Sequence, residues 1–92
     1  MIERRVRIVN RLGLHARAAA LLVRTAGAFH SALRLERADG TASADAKSIL
    51  SVLMLAASRG TELLATAEGV DEAEAMAAVC GLFAEGFGEK ER

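Results

Sequence analysis

Proline, tryptophan and tyrosine are absent from this chain of 92 residues, which holds only three phenylalanines, two histidines and one cysteine. Each shortage excludes something. Cys80 alone cannot form an internal disulfide, and His15 and His30 stand far apart without ligand-type spacing, so a structural zinc site is not expected. With so few aromatic rings, the chain has little on which to stack the bases of single-stranded nucleic acid. No apolar run approaches the roughly 18 residues of a membrane span. Met1-Ile2-Glu3-Arg4-Arg5 is not followed by the apolar stretch of a signal peptide, so a cytoplasmic protein without membrane insertion is expected. No motif asks for a cofactor or a metal.

What the chain does have is 52% hydrophobic and 26% charged residues, the balance of one folded domain. A domain of this size buries only about 60 to 65% of its unfolded surface, which leaves little room for a large enclosed pocket. Twelve basic and twelve acidic groups cancel overall but not locally. Residues 1–46 carry eight basic and four acidic groups, and residues 47–92 carry four and eight. The basic half can steer an acidic partner, or it is a plain solvated surface.

Ile2, Val6 and Ile8 alternate with Glu3, Arg5 and Arg7, the period of a half-buried strand, with Arg4 the one exception. From Ala16 a run of strong helix formers places Ala19, Leu22, Val23 and Ala26 on one face, with a stop near Gly27. Leu33 and Leu35 mark a second strand, Asp39-Gly40 a hairpin turn, and residues 41–43 a short returning strand. A second helix is read from Ser48 through the apolar run that Arg59-Gly60 closes, with Met54 and Met76 taken as core. Leu63, Ala65 and Ala67 form a last strand, and Asp71-Glu72 open a last helix in keeping with its dipole. The order βαββαβα predicts an α+β fold, an open-faced sandwich with a four-stranded antiparallel sheet and three helices on one face. The domain is read over 1–88, with 89–92 as a flexible tail that Gly86-Phe87-Gly88 begins to fray.

His15 stands where the loop containing Gly13 meets the first helix, a position surrounded by backbone N–H groups that lack intrahelical acceptors. A phosphoryl group on this imidazole would meet the amides of Ala16 and Arg17, the positive end of the helix dipole and the Arg17 guanidinium. Neutral imidazole is also a good nucleophile. On residue type alone, a histidine ahead of a helix is more often an ordinary capping or surface residue.

The run Gly13-Leu14-His15-Ala16-Arg17-Ala18-Ala19 closely resembles the active-site signature of the HPr family, the histidine phosphocarriers of the bacterial phosphotransferase system. Element order, chain length and Lys47-Ser48-Ile49-Leu50 before the second helix are similar too, so the resemblance runs from Ile2 to about Phe87. It implies that His15 accepts phosphate through Nδ1 from phosphorylated enzyme I, with phosphoenolpyruvate as the original donor. An enzyme IIA domain of a sugar or regulatory, nitrogen-type system would be the recipient. Such a carrier is a substrate of its partner enzymes rather than an enzyme itself. Arg17 would stabilise the group in transit, since a loose phosphoryl-transfer transition state asks mainly for positioning and charge. The family usually has proline after the arginine. Ala18 in its place loosens the unfolded chain, an effect of about 0.4 to 1 kcal/mol, but removes no phosphate ligand, and it points to a branch of the family.

Ser48 reads as a helix N-cap, and by resemblance as the site that HPr kinase/phosphorylase modifies. A phosphate there suits the helix dipole while repelling an acidic partner. Ile49, Leu50 and Leu53 fall on one helical face, and Val52, Leu55 and Ala56 on another. The first face, with Ala20, Leu21, Arg24 and Arg17, is expected to form an apolar docking patch with a basic rim, unless the helix is buried on both sides. Successive use of one patch implies a monomer. His30, Cys80 and Ser51 are assigned no function. The competing reading is a regulatory binding module acting through the Ser48 helix. A sheet-based RNA binder lacks the needed aromatics, and a hydrolase lacks a nucleophile paired with His15.

Overall fold

A computed structural model describes residues 1–89, and in it the alternating segments pair into one antiparallel sheet. The strands β1 (Ile2–Arg7), β2 (Ala32–Arg37), β3 (Ser43–Asp45) and β4 (Glu62–Glu68) lie in the order β1-β4-β2-β3. Helices α1 (Ala16–Gly27), α2 (Ile49–Met54) and α3 (Glu72–Ala84) pack on one face, giving the expected open-faced α+β sandwich. Val6, Leu33, Leu35, Ala44, Leu63, Ala65 and Ala67 point inward at alternate positions. They meet Leu22, Val52, Val79 and Phe83 from the helices in a single core. Register matters here: Leu35 lies between Ala44 and Ala65, so one large side chain sits beside two small ones and the layer fills without overcrowding. Each buried leucine or phenylalanine contributes about 1.5 to 3 kcal/mol.

Arg4, the exception in the alternation, shares the inward parity of β1, yet its side chain is exposed. β1 is an edge strand, so a long side chain at this position reaches solvent alongside Met76, Ala77 and Cys80 of α3. Burial beneath it pushes the Cys80 thiol upward from its ordinary pKa.

The returning strand begins at Ser43, two residues later than the hairpin signal suggests. Asp39 Oδ1 accepts hydrogen bonds from the Thr41 amide and hydroxyl, and the Arg37 amide bonds the Ala42 carbonyl at 2.9 Å, so residues 38–42 are spent on the turn. The second helix is also shorter than its apolar run. Ala56 adopts φ 50°, a left-handed conformation that stops a helix, so α2 ends at Met54 and not at Arg59. Met54, expected in the core, is therefore 72% exposed, and Ala56, expected on the core side, is exposed as well. Met76 is buried as expected.

Fraying is not what Gly86, Phe87 and Glu89 do. Gly86–Gly88 forms a 3-10 turn, Phe87 is buried, and its ring meets Phe83 edge to face at 5.0 Å between centroids. Such a pair adds about 0.5 to 1.5 kcal/mol to the area it buries. The rest of the expected tail, residues 90–92, lies outside the described residues.

At the opposite end of α1, Asp71 ties the α1–β2 loop to the start of α3. Its carboxylate accepts from the amides of His30 and Ser31, each at 2.9 Å, and from the Ser31 hydroxyl. Gly69 passes so close to Ser31 that a Cβ would lie 2.6 Å from its Cα, which keeps the two loops in contact. These donors, the Ser31 hydroxyl foremost, hold the Asp71 carboxyl down from 3.8 to about 2. A carboxyl lowered on folding stabilises the fold above its unfolded pKa and loses that effect as pH falls through the folded one. Acid unfolding followed by circular dichroism should thus show stability falling between about pH 4 and 2 in the wild type. Asp71→Asn should be less stable at neutral pH and show a flatter acid limb; identical limbs would count against this role.

Candidate functional site

The site is built by a backbone contact. Gly13 takes φ 67°, and a Cβ on it would lie 2.6 Å from the Ala57 carbonyl oxygen and 2.9 Å from Ser58 Cα. That close approach lets the Leu14 amide donate to the Ala57 carbonyl at 2.9 Å, while the Leu14 side chain is buried. The loop is closed from the other side by Asn10, whose Nδ2 donates to the Gly13 carbonyl at 2.8 Å and whose carbonyl accepts from the Gly13 amide at 3.2 Å. His15 leaves this clamp in an extended conformation as the residue before α1, and its carbonyl accepts the helix's opening hydrogen bond from the Ala19 amide at 2.8 Å.

The imidazole makes no capping hydrogen bond, so the backbone of His15 starts the helix while its side chain, 30% exposed, stays available. The amides of the first turn, Ala16 and Arg17 among them, have no intrahelical acceptor and carry the positive end of the dipole. No acidic residue lies in that first turn to compete for them. Arg17 is exposed and lines the same groove as His15, together with Leu12, Ala18, Phe87, Gly88 and Glu89. His15 and Arg17 thus line one open groove at a helix start, an arrangement that can hold a tetrahedral anion on the ring. The described residues contain no cluster of three or more metal-ligating side chains. No helix among them is long and apolar enough to cross a membrane.

Ser48 is the N-cap of α2, with Oγ accepting from the Ser51 amide at 3.4 Å, and it does not line the His15 groove. Lys47 beside it is engaged elsewhere, its Nζ donating to the Phe29 carbonyl at 2.8 Å beyond the end of α1. On α2, Val52 and Leu55 face the core, whereas Ile49, Leu50 and Leu53 are 44, 67 and 37% exposed. The helix is thus uncovered on its second face. Helices α1 and α2 pack side by side, and α1 adds exposed Arg24 with half-buried Ala20 and Leu21. Met54 extends the apolar surface.

Three residues at the site escaped the sequence reading. Glu89 falls in the stretch read from sequence as the tail and Phe87 in the run just before it, where the one sequence hint is an apolar ring after a helix. Asn10 carries no pattern in sequence; only the fold shows it buried beneath the His15 loop. Replacing Gly13 with alanine should cost about 2 kcal/mol or more, from the left-handed backbone and the blocked approach to Ala57. Thermal unfolding would show it as a lowered Tm; an unchanged Tm would mean that the loop does not depend on this contact.

Comparison with known proteins shows what the chain is similar to. Residues 2–85 match the family described as the PTS HPr component phosphorylation site. A phosphocarrier protein HPr of Cupriavidus necator is 46% identical, over 99% of this chain and all of that one. A phosphocarrier protein NPr of Proteus mirabilis is 42% identical over 94% of each chain. Among solved structures, HPr-C-His from Thermoanaerobacter tengcongensis superposes with a TM-score of 0.92 at 41% identity, covering 99% of this chain and 100% of that one.

Proposed function

The chain belongs to the HPr phosphocarrier family, and from that premise we propose that His15 is the residue that takes up and hands on the phosphoryl group. The observation that carries the proposal is the uncapped His15 ring at the start of α1, sharing an open groove with Arg17. In the proposed step the Nδ1 lone pair attacks phosphorus, and the bond from phosphorus to its donor breaks with the electron pair left on the donor. Arg17 and the amides of Ala16 and Arg17 balance the charge on the phosphoryl oxygens. The donor is phosphorylated enzyme I, charged from phosphoenolpyruvate, and the recipient is an enzyme IIA domain of a sugar or nitrogen-type system. Both partners dock in turn on Ala20, Leu21, Arg24, Ile49, Leu50 and Leu53, whose apolar centre and basic rim suit an acidic, partly apolar surface. The protein works as a cytoplasmic monomer.

Ser48 is a regulatory site in this proposal, and HPr kinase/phosphorylase is the modifying enzyme. A phosphate at the N-cap of α2 is acceptable to the helix and places negative charge beside Ile49 and Leu50 of the docking patch. Ser48→Asp should slow phosphoryl uptake from enzyme I on the order of tenfold, as like charge opposes an acidic partner. A rate equal to wild type would remove the regulatory role.

Incubation with enzyme I and phosphoenolpyruvate, followed by intact-mass measurement, should add a single acid-labile phosphate that is lost in His15→Ala. No label, with the same enzyme I active on another carrier, would favour a regulatory binding module that uses the exposed face of α2. That second reading has its own support in the exposed Ile49, Leu50 and Met54, which need no phosphoryl chemistry.

A further inference from the structure

Glu89 reaches back over the site from the chain's last described turn. Its Oε2 accepts from Asn10 Nδ2 at 2.9 Å, its Oε1 accepts from the Leu12 amide at 3.3 Å, and Oε2 lies 3.8 Å from His15 Nε2. The last distance is within ion-pair reach but too long for a hydrogen bond. The carboxylate is thus held by the loop and placed against one nitrogen of the ring. Asn10 is buried, with its Nδ2 shared between Glu89 and the Gly13 carbonyl, while its Oδ1 has no hydrogen-bond partner among the described residues. Two acceptors on the same side therefore fix which way the amide faces, and leaving Oδ1 unpartnered is the cost of pointing both donors at the loop and the carboxylate. Phe87, packed on Phe83, anchors the turn that carries Glu89.

We propose that the Asn10–Glu89 pair positions His15 for transfer, its carboxylate covering Nε2 so that Nδ1 is the nitrogen that accepts the phosphoryl group, and neutralising the ring once it is charged. The inference rests on the phosphocarrier reading and adds to it two positioning residues. The chemistry supplies the reason for a counter-charge. When Nδ1 bonds to phosphorus, the bond from phosphorus to the donor breaks and its electron pair departs with the donor. The ring keeps its Nε2 proton and becomes a cation. Of the ionisable groups lining the groove among the described residues, Arg17 disfavours that cation and Glu89 favours it. α2 carries no charged side chain between Ile49 and Met54 to alter the balance. Glu89 is only partly exposed, so its field at Nε2 is not fully screened. Loss of the phosphoryl group to a recipient discharges the ring again with no proton moved.

Phosphoramidate tests this without a partner protein, because its P–N bond breaks to phosphorylate histidine directly and phosphorus NMR separates the Nδ1 and Nε2 products. In a His30→Gln background, which leaves His15 as the sole histidine, the wild-type pair should give mainly the Nδ1 product. Glu89→Ala should lower the ratio of Nδ1 to Nε2 product on the order of tenfold, and Glu89→Gln by a smaller factor in the same direction. Thermal unfolding checks that each variant is folded, and Glu89→Gln, which keeps the side chain's shape and an accepting oxygen, serves if Glu89→Ala disturbs the Leu12 loop. An unchanged ratio in the folded variants, or no labelling of His15, overturns the inference. If enzyme I fails to label the protein while the phosphoramidate ratio moves as stated, the carrier role falls and the positioning stands. If enzyme I labels it and the ratio does not move, the positioning alone falls.

Discussion

The approach of the Gly13 backbone to the Ala57 carbonyl is the constraint on which the rest of the site depends. It has no room for a Cβ, and it exists only because α2 stops early: Ala56 turns the chain into a left-handed conformation so that the Ala57 carbonyl points at the Leu14 amide. A strained alanine at the end of one helix thereby sets the start of another. With the loop held, His15 opens α1 with its backbone and leaves its ring uncapped in an open groove that Arg17 also lines. A longer α2, continuing through its apolar run, would carry Ala57 away and leave the loop without its acceptor.

The same early stop explains why the surface next to the site is apolar. Six residues of helix give α2 one core-facing residue, Val52, followed by buried Leu55 at its C-cap, and leave Ile49, Leu50, Leu53 and Met54 exposed among the described residues. Exposed apolar side chains on so small a domain work against solubility, and here they sit beside Arg24 of α1, which gives the proposed docking patch both charge and area. Phosphoryl transfer asks for little else from the carrier. Its transition state needs orientation and donors aimed at the equatorial oxygens, which an open groove at a helix start provides without an enclosed pocket.

Two further ties keep the scaffold rigid around that groove. Asp71 joins the far end of α1 to α3 through three hydrogen bonds to His30 and Ser31. Phe87, packed on Phe83, folds the end of the chain back so that Glu89 meets Asn10 and Leu12. The site is thus assembled from three stretches distant in sequence, residues 10–17, 56–58 and 87–89, each held by a different kind of contact.

The strand alternation, the apolar face of α1 and the run from Gly13 to Ala19 were legible in the amino-acid sequence, because side-chain period and local backbone preference are properties of neighbouring residues. They determined the element order, the open-faced sandwich and the place of His15 ahead of a helix. Ser48 as a cap was legible for the same reason. The length of α2, the exposure of Met54, the late start of β3 and the return of Phe87 and Glu89 were not. Partners far along the chain decide the end of α2, where the Leu14 amide takes the Ala57 carbonyl, and the place of Glu89, held by Asn10, while the Asp39–Thr41 turn delays β3 and Phe87 packs on Phe83 one helical turn back. Helix propensity favoured carrying α2 through Leu55 and Ala56, but the Leu55 carbonyl is taken by Arg37 and the Ala57 carbonyl by the Leu14 amide, both across tertiary contacts. Local chemistry therefore determined what each segment is, and only the tertiary structure decided where it ends and which side chains surround the histidine, since those depend on contacts that no window of sequence contains.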